Sequence, residues 1–306
     1  MDPRRVLREL GGAARADAIL SHGVSWPALR SAHAAGIVVR PAWGTYALPH
    51  VEPGVSVAAA LRGQLGCLSA CAWWGLKSVS KPDSIHVVVP ADRNVESKRL
   101  RQLGLIGVHR DSTYTEQRLV ESVEAAVDHA ARCTTPIEQL VLVDSALRQG
   151  RLDPMGLDAL SRGTVYRRRW LRRLATSIAD SPPESVARAV LDAAGLRPRV
   201  QELHDRVGRI DLGVGVRHGI EVDGYETHSS RDAFAEDRRR DREMAAQGKW
   251  SLRFTYWDVM KDPRAFGLEV ARIIGFAVDA RFDKRMSWLM AVPAGNVRRR
   301  ARWSPS

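Results

Sequence analysis

The stretch Arg209-Ile-Asp-Leu-Gly-Val-Gly-Val-Arg-His-Gly-Ile-Glu-Val-Asp223 contains two apolar runs separated by a polar break. In each run apolar residues alternate with polar or small ones, which is typical of β-strands that bury one face. The predicted buried residues are Ile210, Leu212, Val214, Val216, Ile220 and Val222. The stretch therefore predicts a β-hairpin that directs Asp211, Glu221 and Asp223 to the opposite face.

The loop length decides which carboxylates meet in this hairpin. A two-residue loop mixes the apolar and polar faces, whereas a three-residue loop with Gly219 in the left-handed conformation keeps them apart. The longer loop places Asp211 across from Asp223, and Glu221 across from Gly213. Opposed carboxylates repel each other, and Mg²⁺ is commonly held by one or two carboxylates. We therefore predict a Mg²⁺ (or Mn²⁺) site, with a solvent-exposed acidic strand face as the alternative.

Flanking residues extend the prediction to an α/β domain. Ser181 and Glu184 have the spacing of a capping box at the start of a helix. A helix over 231–247 and a strand over 250–256 would add a parallel strand through a right-handed crossover. His228 follows the hairpin and could transfer a proton near the carboxylates; the alternative is an ordinary surface histidine.

The charge balance favours a polyanionic partner. The chain has 306 residues and a formal net charge of +12, and its excess charge is mostly arginine, whose planar fork matches phosphate oxygens. We expect double-stranded DNA as the partner, with a solubilising charge surplus as the alternative. The candidate contacts are Arg168 and Arg169 in the basic stretch 166–173, and Arg238 and Arg240 in the helix over 231–247. A solvated helix face explains these arginines too. Residues 298–302 form a basic tail.

The first 50 residues have the pattern of a winged helix-turn-helix. Three helical segments precede two short strands, at 37–40 and 45–48, around a turn containing Gly44. In this interpretation the third helix enters the major groove, with Arg30 and His33 as candidate DNA contacts. A protein-interaction domain is the alternative.

The region over 51–165 carries no recognisable chemistry in its sequence. We predict one apolar helix over 57–74, a strand over 84–89 with His86 exposed, and helices over 121–132 and 137–148. Cys67 and Cys71 lie four residues apart in an apolar run, which favours buried packing over metal binding. No Cys/His group has zinc-type spacing.

The chain has three cysteines in all, which suits a reduced compartment. The N-terminus lacks the apolar core of a signal peptide, and no apolar run is long enough to cross a bilayer. We therefore expect a cytoplasmic protein without a membrane partner.

Taken together, the motifs over 181–263 resemble the very-short-patch-repair (Vsr)-like endonuclease domains of the PD-(D/E)xK superfold. The matching motifs are Ser-Pro-x-Glu before a helix, Asp-Leu on a strand, Glu-Val-Asp-Gly with a following His, Asp-x-x-Arg-Asp, and Trp-x-x-Arg-Phe-Thr-x-x-Asp-Val. The resemblance implies Asp211 and Glu221 as metal ligands, helped by the Val222 carbonyl. It also implies that Glu184 binds metal-associated water in addition to capping its helix. Asp223 stands where the superfold has lysine, which leaves open the group that orients the attacking water.

Upstream, the winged helix and the segment Leu68-Ser-Ala-Cys-Ala-Trp-Trp-Gly-Leu76 resemble AbiEi-type antitoxins, which implies DNA binding or autoregulation. The predicted domains are a winged helix over 1–50, an α+β region over 51–165, a nuclease domain over 166–280 and a basic tail over 281–306. The leading hypothesis is a Mg²⁺-dependent DNA endonuclease. The alternative is a DNA-binding regulator or antitoxin with a catalytically silent nuclease fold, and an RNA-processing nuclease is a third possibility.

Overall fold

The computed structural model describes residues 1–95, 103, 106–114, 118–223 and 231–293. The described chain is a mixed α/β structure with several sheets and divides into two compact units. The first unit comprises residues 1–75 and 81–133, and the second comprises 76–80 and 134–293. None of the helices in the described ranges combines the length and apolar character needed to cross a membrane.

The first unit opens with three helices and a small antiparallel sheet. Its elements are α1 (Pro3–Glu9), β1 (Ala13–Arg15), α2 (Ala16–Ser21), α3 (Trp26–Ala34), β2 (Val39–Ala42) and β3 (Thr45–Ala47). The strand order is β1-β3-β2. Ser25 caps α3, with its side chain accepting a hydrogen bond from the Ala28 amide. Val6, Ile19 and Leu29 pack in one apolar cluster, which holds the three helices together.

The rest of this unit surrounds a second sheet. Its elements are α4 (Pro53–Ala60), β4 (Gln64–Leu65), α5 (Cys67–Trp73), β5 (Ile85–Pro90), β6 (Ile106–Asp111) and α6 (Val123–Ala130). The order is β4-β5-β6, with β5 and β6 parallel. The single helix predicted over 57–74 is wrong, because α4 ends at Ala60 and β4 intervenes. Arg62 there has a left-handed φ of 50°, which no α-helix accommodates.

The second unit is a mixed sheet with helices around it. Its elements are α7 (Pro136–Arg148), a 3₁₀ helix (Pro154–Ala159), α8 (Val165–Leu174), α9 (Pro182–Ala194), β7 (Arg199–His204), β8 (Gly208–Val214), β9 (His218–Asp223), α10 (Arg231–Ala246), β10 (Trp250–Thr255), α11 (Tyr256–Lys261), α12 (Pro263–Ile273) and α13 (Phe282–Leu289). The strand order is β10-β9-β8-β7. The predicted hairpin, the helix after it and the parallel pair β9–β10 are all present. The edge strand β7 was not predicted.

The hairpin has the predicted three-residue loop but a different register. The loop is formed by residues 215–217, and Gly215 has the left-handed φ of 58°. Gly219 lies within β9 opposite Gly213, so the predicted pairing of Gly213 with Glu221 is wrong. The predicted direct opposition of Asp211 and Asp223 belongs to the same register and is wrong as well. Glycine tolerates positive φ because it lacks Cβ, and Gly215 is the glycine that directly follows β8. Val216 is 83% exposed in this loop instead of facing the core.

Helix α9 is held against its unit by a buried ion pair. Arg188 lies on α9 and Asp144 lies on α7, and both side chains are almost fully buried. The Arg188 guanidinium donates a hydrogen bond to the Asp144 carboxylate. Burial raises the pKa of Asp144, and the charge of Arg188 opposes that rise. Asp144 also accepts hydrogen bonds from the Ser185 hydroxyl at 2.6 Å and the Thr176 amide at 2.8 Å.

Replacing Arg188 with leucine should lower the free energy of unfolding by about 3–5 kcal/mol, because it leaves a buried carboxylate without its counter-charge. Arg173→Leu is the matched control, since Arg173 is 57% exposed in its pair with Asp192. The control should lose about 1 kcal/mol or less. Chemical denaturation of both variants measures the difference, and equal losses would contradict this account of the α7–α9 contact.

Candidate functional site

Glu184 occupies the predicted place at the start of α9. Ser181 is the N-cap, and its hydroxyl accepts from the Glu184 amide at 3.4 Å. The same hydroxyl donates to Glu184 Oε1 at 2.7 Å, and the Asp180 amide donates to Oε2 at 3.0 Å. Ser181 is therefore confirmed as the N-cap, but the reciprocal bond of the predicted capping box is replaced by the bond from the Asp180 amide. The side chain is also buried, at 5% exposed, so its charge acts in a medium of low polarity.

Gln201 joins Glu184 to Asp211. Its amide nitrogen Nε2 donates to Glu184 Oε2 at 3.1 Å and lies 3.2 Å from Asp211 Oδ1. Gln201 lies in β7 with a left-handed φ of 50°, an uncommon conformation for a residue with a side chain. Gln201 was not predicted as a site residue, since β7 has no clear apolar alternation in the sequence. Two carboxylates from different elements thus share one amide donor.

Asp211 is the most strongly perturbed carboxyl of this group. Burial raises its pKa to about 6, helped by the nearby charges of Glu184 and Glu221. Hydrogen bonds from the Val222 amide, at 2.9 Å to Oδ2, and from Gln201 oppose the rise. The Val222 amide therefore donates a hydrogen bond to Asp211. The role of the Val222 carbonyl as a metal ligand stays a prediction.

Glu221 lies between two guanidinium groups. Arg240 Nη2 is 3.1 Å from Oε2, and Arg253 Nε is 3.9 Å from Oε1. The Ser251 hydroxyl donates to Oε1 at 2.6 Å. Arg240 is fixed in place, because it also donates to the carbonyls of Val207 and Arg209 at 3.0 and 2.8 Å. Arg240 was predicted as a DNA contact, whereas Arg253 and Ser251 were not predicted as site residues.

Arg253 connects the hairpin to α10. It contacts Asp237 at 3.0 Å and Asp241 at 3.2 Å, so both aspartates of the Asp-x-x-Arg-Asp motif pair with it. Asp223 lies at the exposed end of β9, and burial raises its pKa while the charge of Arg253 lowers it. We define the carboxylate cluster as Glu184, Asp211, Glu221 and Asp223.

The candidate DNA contacts differ in the exposure of their side chains and in the partners that those side chains already have. Arg30 and His33 are exposed on α3, although His33 Nδ1 also lies 3.2 Å from the Val38 carbonyl. Arg169 is exposed on α8, whereas Arg168 donates to the carbonyls of Ser161 and Gly163 at 2.6 and 2.9 Å. Arg238 is exposed and pairs with Asp241 at 3.2 Å. His228 and residues 294–306 lie outside the described residues, so their roles stay predictions. The predicted tail begins too early, because residues 282–289 form α13 of the second unit and bury Phe282, Met286 and Leu289.

A second polar cluster lies in the first unit, where none was predicted. His86 is buried at 1% exposed, which overturns its predicted exposure on the strand surface. It lies beside Cys67, His109 and Cys133, which are also buried. Among the described residues, these four form a group whose potential metal-ligand atoms lie close enough together to bind one ion. This cluster was not predicted, because its four residues are widely spaced along the chain.

No family model matches the chain, and no curated protein is detectably similar to it in sequence.

The raised pKa of Asp211 predicts a pH-dependent stability. In the unfolded chain this carboxyl has a pKa near 3.8, and folding raises it to about 6. Protonation therefore stabilises the fold, and that contribution is lost as the pH rises through about 6. In metal-free buffer, the free energy of unfolding of the wild type relative to Asp211→Asn should fall between about pH 5 and about pH 7.5.

Denaturant titrations across that range test this prediction, with Asp205→Asn as the matched control. Asp205 is 89% exposed, so its variant should keep a constant difference from the wild type. A constant difference for Asp211→Asn as well would show that Asp211 titrates as an ordinary surface carboxyl.

Proposed function

We propose that the protein is a Mg²⁺-dependent DNA endonuclease whose second unit has a PD-(D/E)xK arrangement. The observation that carries the proposal is the carboxylate cluster, in which Glu184 and Asp211 share the Gln201 amide and Asp211 has a pKa raised to about 6. Perturbed carboxyls gathered at one place are typical of functional sites.

The order of elements supports this proposal. From α9 to β10 the chain runs helix, three antiparallel strands, helix and a parallel strand. That order agrees with the superfold that the Vsr-like resemblance implies. Glu184 lies on the first helix, Asp211 on the second strand and Glu221 on the third. These are the positions that the resemblance implies for the acidic residues of the site.

The donor chemistry of the cluster fits a hard divalent cation. Carboxylate and carbonyl oxygens suit Mg²⁺ or Mn²⁺, and Mg²⁺ needs only one or two carboxylates because water and substrate phosphate complete its shell. Asp211 and Glu221 would bind the ion with the Val222 carbonyl, and Glu184 would hold a water associated with it. A bound ion would polarise the scissile phosphate and lower the pKa of a coordinated water.

The chain's own residues would then prepare the substrate. Asp211 must be deprotonated to bind a cation, so cation binding should weaken as the pH falls below about 6. Arg240, anchored by two backbone carbonyls, would exchange its contact with Glu221 for a phosphate oxygen as the cation takes that carboxylate. Asp223 and His228 remain the candidates for orienting the attacking water or transferring its proton.

Two features support DNA as the substrate: the positive charge of the chain and the order of elements in the first unit. The net charge is +12, and Arg30, His33 and Arg169 are exposed. The order of three helices followed by β2 and β3 suits a winged helix, in which α3 would lie in the major groove of double-stranded DNA. Arginine contacts to phosphates would position the duplex without reading its sequence.

A second candidate function is a DNA-binding regulator or antitoxin with a silent nuclease fold. The specific observation in its favour is the state of Glu221, whose carboxylate already contacts Arg240, Arg253 and Ser251. An ion pair that Mg²⁺ fails to displace would leave the cluster as a structural network.

Incubation of the purified protein with supercoiled plasmid decides between the two functions. The proposal predicts nicked or linear DNA in the presence of Mg²⁺ or Mn²⁺ and none with a chelator. Asp211→Asn should lower the rate roughly a hundredfold or more, since it weakens a metal ligand. Asp205→Asn should cleave like the wild type, because that side chain is 89% exposed and its ion pair is with Arg206.

Cleavage that persists in Asp211→Asn would contradict the assigned site. Absence of cleavage, combined with a gel shift that Asp211→Asn leaves unchanged, would favour the silent regulator. A parallel incubation with RNA tests the polymer, because the proposal predicts the faster cleavage on DNA.

A further inference from the structure

The second cluster, in the first unit, brings two cysteines and two histidines to one buried point. One ligand atom from each of Cys67, His86, His109 and Cys133 lies within 4.8 Å of all the others, and all four side chains are buried. His86 Nδ1 is 3.0 Å from His109 Nε2, which in turn is 3.5 Å from Cys133 Sγ. The cysteines are not joined in a disulfide.

These separations are close to those of a tetrahedral zinc site. With Zn–N near 2.0–2.1 Å and Zn–S near 2.3 Å, tetrahedral geometry requires about 3.3 Å between two nitrogens and about 3.6 Å between nitrogen and sulfur. The observed 3.0 and 3.5 Å differ from these values by a few tenths of an ångström. The other separations among the four atoms are no more than 4.8 Å, against about 3.8 Å between the two sulfurs of such a site.

The backbone brings the two imidazoles to one face of the sheet. In the parallel register His86 pairs with Gly107 and His109 pairs with Val88, so the two histidines are diagonal neighbours on the same face. A Cβ on Gly107 would lie 3.4 Å from His86 Nδ1, in ordinary van der Waals contact, so Gly107 lies directly beside that ring. The polar side-chain contacts of His109 within the described residues both point into the cluster.

Cys67 reaches the cluster through an unusual backbone conformation. Its φ of 52° is left-handed, a conformation that residues with a side chain rarely adopt. The Glu121 carboxylate, which accepts from the Cys67 amide at 3.0 Å, holds this conformation. Glu121 is itself buried and its other oxygen lies 2.7 Å from His129 Nδ1. A strained start to α5 thus directs one thiol toward the imidazoles.

We propose that Cys67, His86, His109 and Cys133 form a Cys₂His₂ site for a zinc ion. Thiolate and imidazole ligands in a tetrahedral arrangement select zinc over Mg²⁺. Four protein ligands and full burial leave no open position for substrate, so the site is structural. The ion would bind as the two thiols release their protons, giving a neutral buried centre. It would fasten α5, β5, β6 and the segment after α6 together.

Metal analysis of the full-length protein tests this site. After expression with zinc and extensive dialysis, the wild type should retain about one zinc per chain. Cobalt offered to the reduced, metal-free protein should give the intense visible bands of tetrahedral Co²⁺ and a thiolate charge-transfer band. Removal of zinc with a chelator should lower the melting temperature, and zinc should restore it.

The chain supplies a matched control for the ligands. Cys67 and Cys71 lie one turn apart on α5 and both are buried, but Cys71 is outside the cluster. Cys67→Ala and Cys133→Ala should lose nearly all the bound zinc, whereas Cys71→Ala should retain it. Circular dichroism confirms which variants are folded, and the cobalt spectrum of the wild type carries the test if a ligand variant does not fold.

The proposal fails if the reduced wild type takes up neither zinc nor cobalt, or if the ligand variants retain as much zinc as Cys71→Ala. Finding a Cys67–Cys133 disulfide in a protein that binds no zinc after reduction would also overturn it. The test is independent of nuclease activity, since no member of the carboxylate cluster lies in the first unit.

Discussion

The hydrogen bond from the Val222 amide to the Asp211 carboxylate is the constraint on which the candidate nuclease site depends. At 2.9 Å it ties the side chain of one hairpin strand to the backbone of the next, immediately after Glu221. It therefore holds two acidic residues close together although their charges repel. Burial and that repulsion raise the pKa of Asp211, and the proposed divalent cation would offset the repulsion.

The central hairpin and the helix and strand after it were predictable because their signals are local. Apolar alternation gave the strands, and the capping residues gave the start of α9. The register was not predictable in the same way. The sequence offers glycines at 213, 215 and 219, each able to adopt a positive φ, and the fold uses Gly215 for the turn. That choice moves the partner of Gly213 from Glu221 to Gly219.

What the sequence could not provide is the set of contacts between distant elements. Gln201 lies on an edge strand whose polar residues carry no periodic signal, yet it joins Glu184 to Asp211. His86 was predicted to be exposed because its strand alternates, but the sheet is covered on both faces. Val87 and Val89 pack in one apolar cluster, while His86 meets His109 on the other side. Only the parallel pairing of β5 with β6 reveals that neighbour.

The proposed nuclease function requires the carboxylate cluster to accept a divalent cation in competition with Arg240. A crystal of the protein soaked in Mn²⁺ answers this most directly, because manganese is located by its anomalous scattering. The account predicts a Mn²⁺ ion bound by the carboxylates of Asp211 and Glu221, with Arg240 displaced from Glu221. An anomalous map without a peak there, with Arg240 still paired to Glu221, would contradict it.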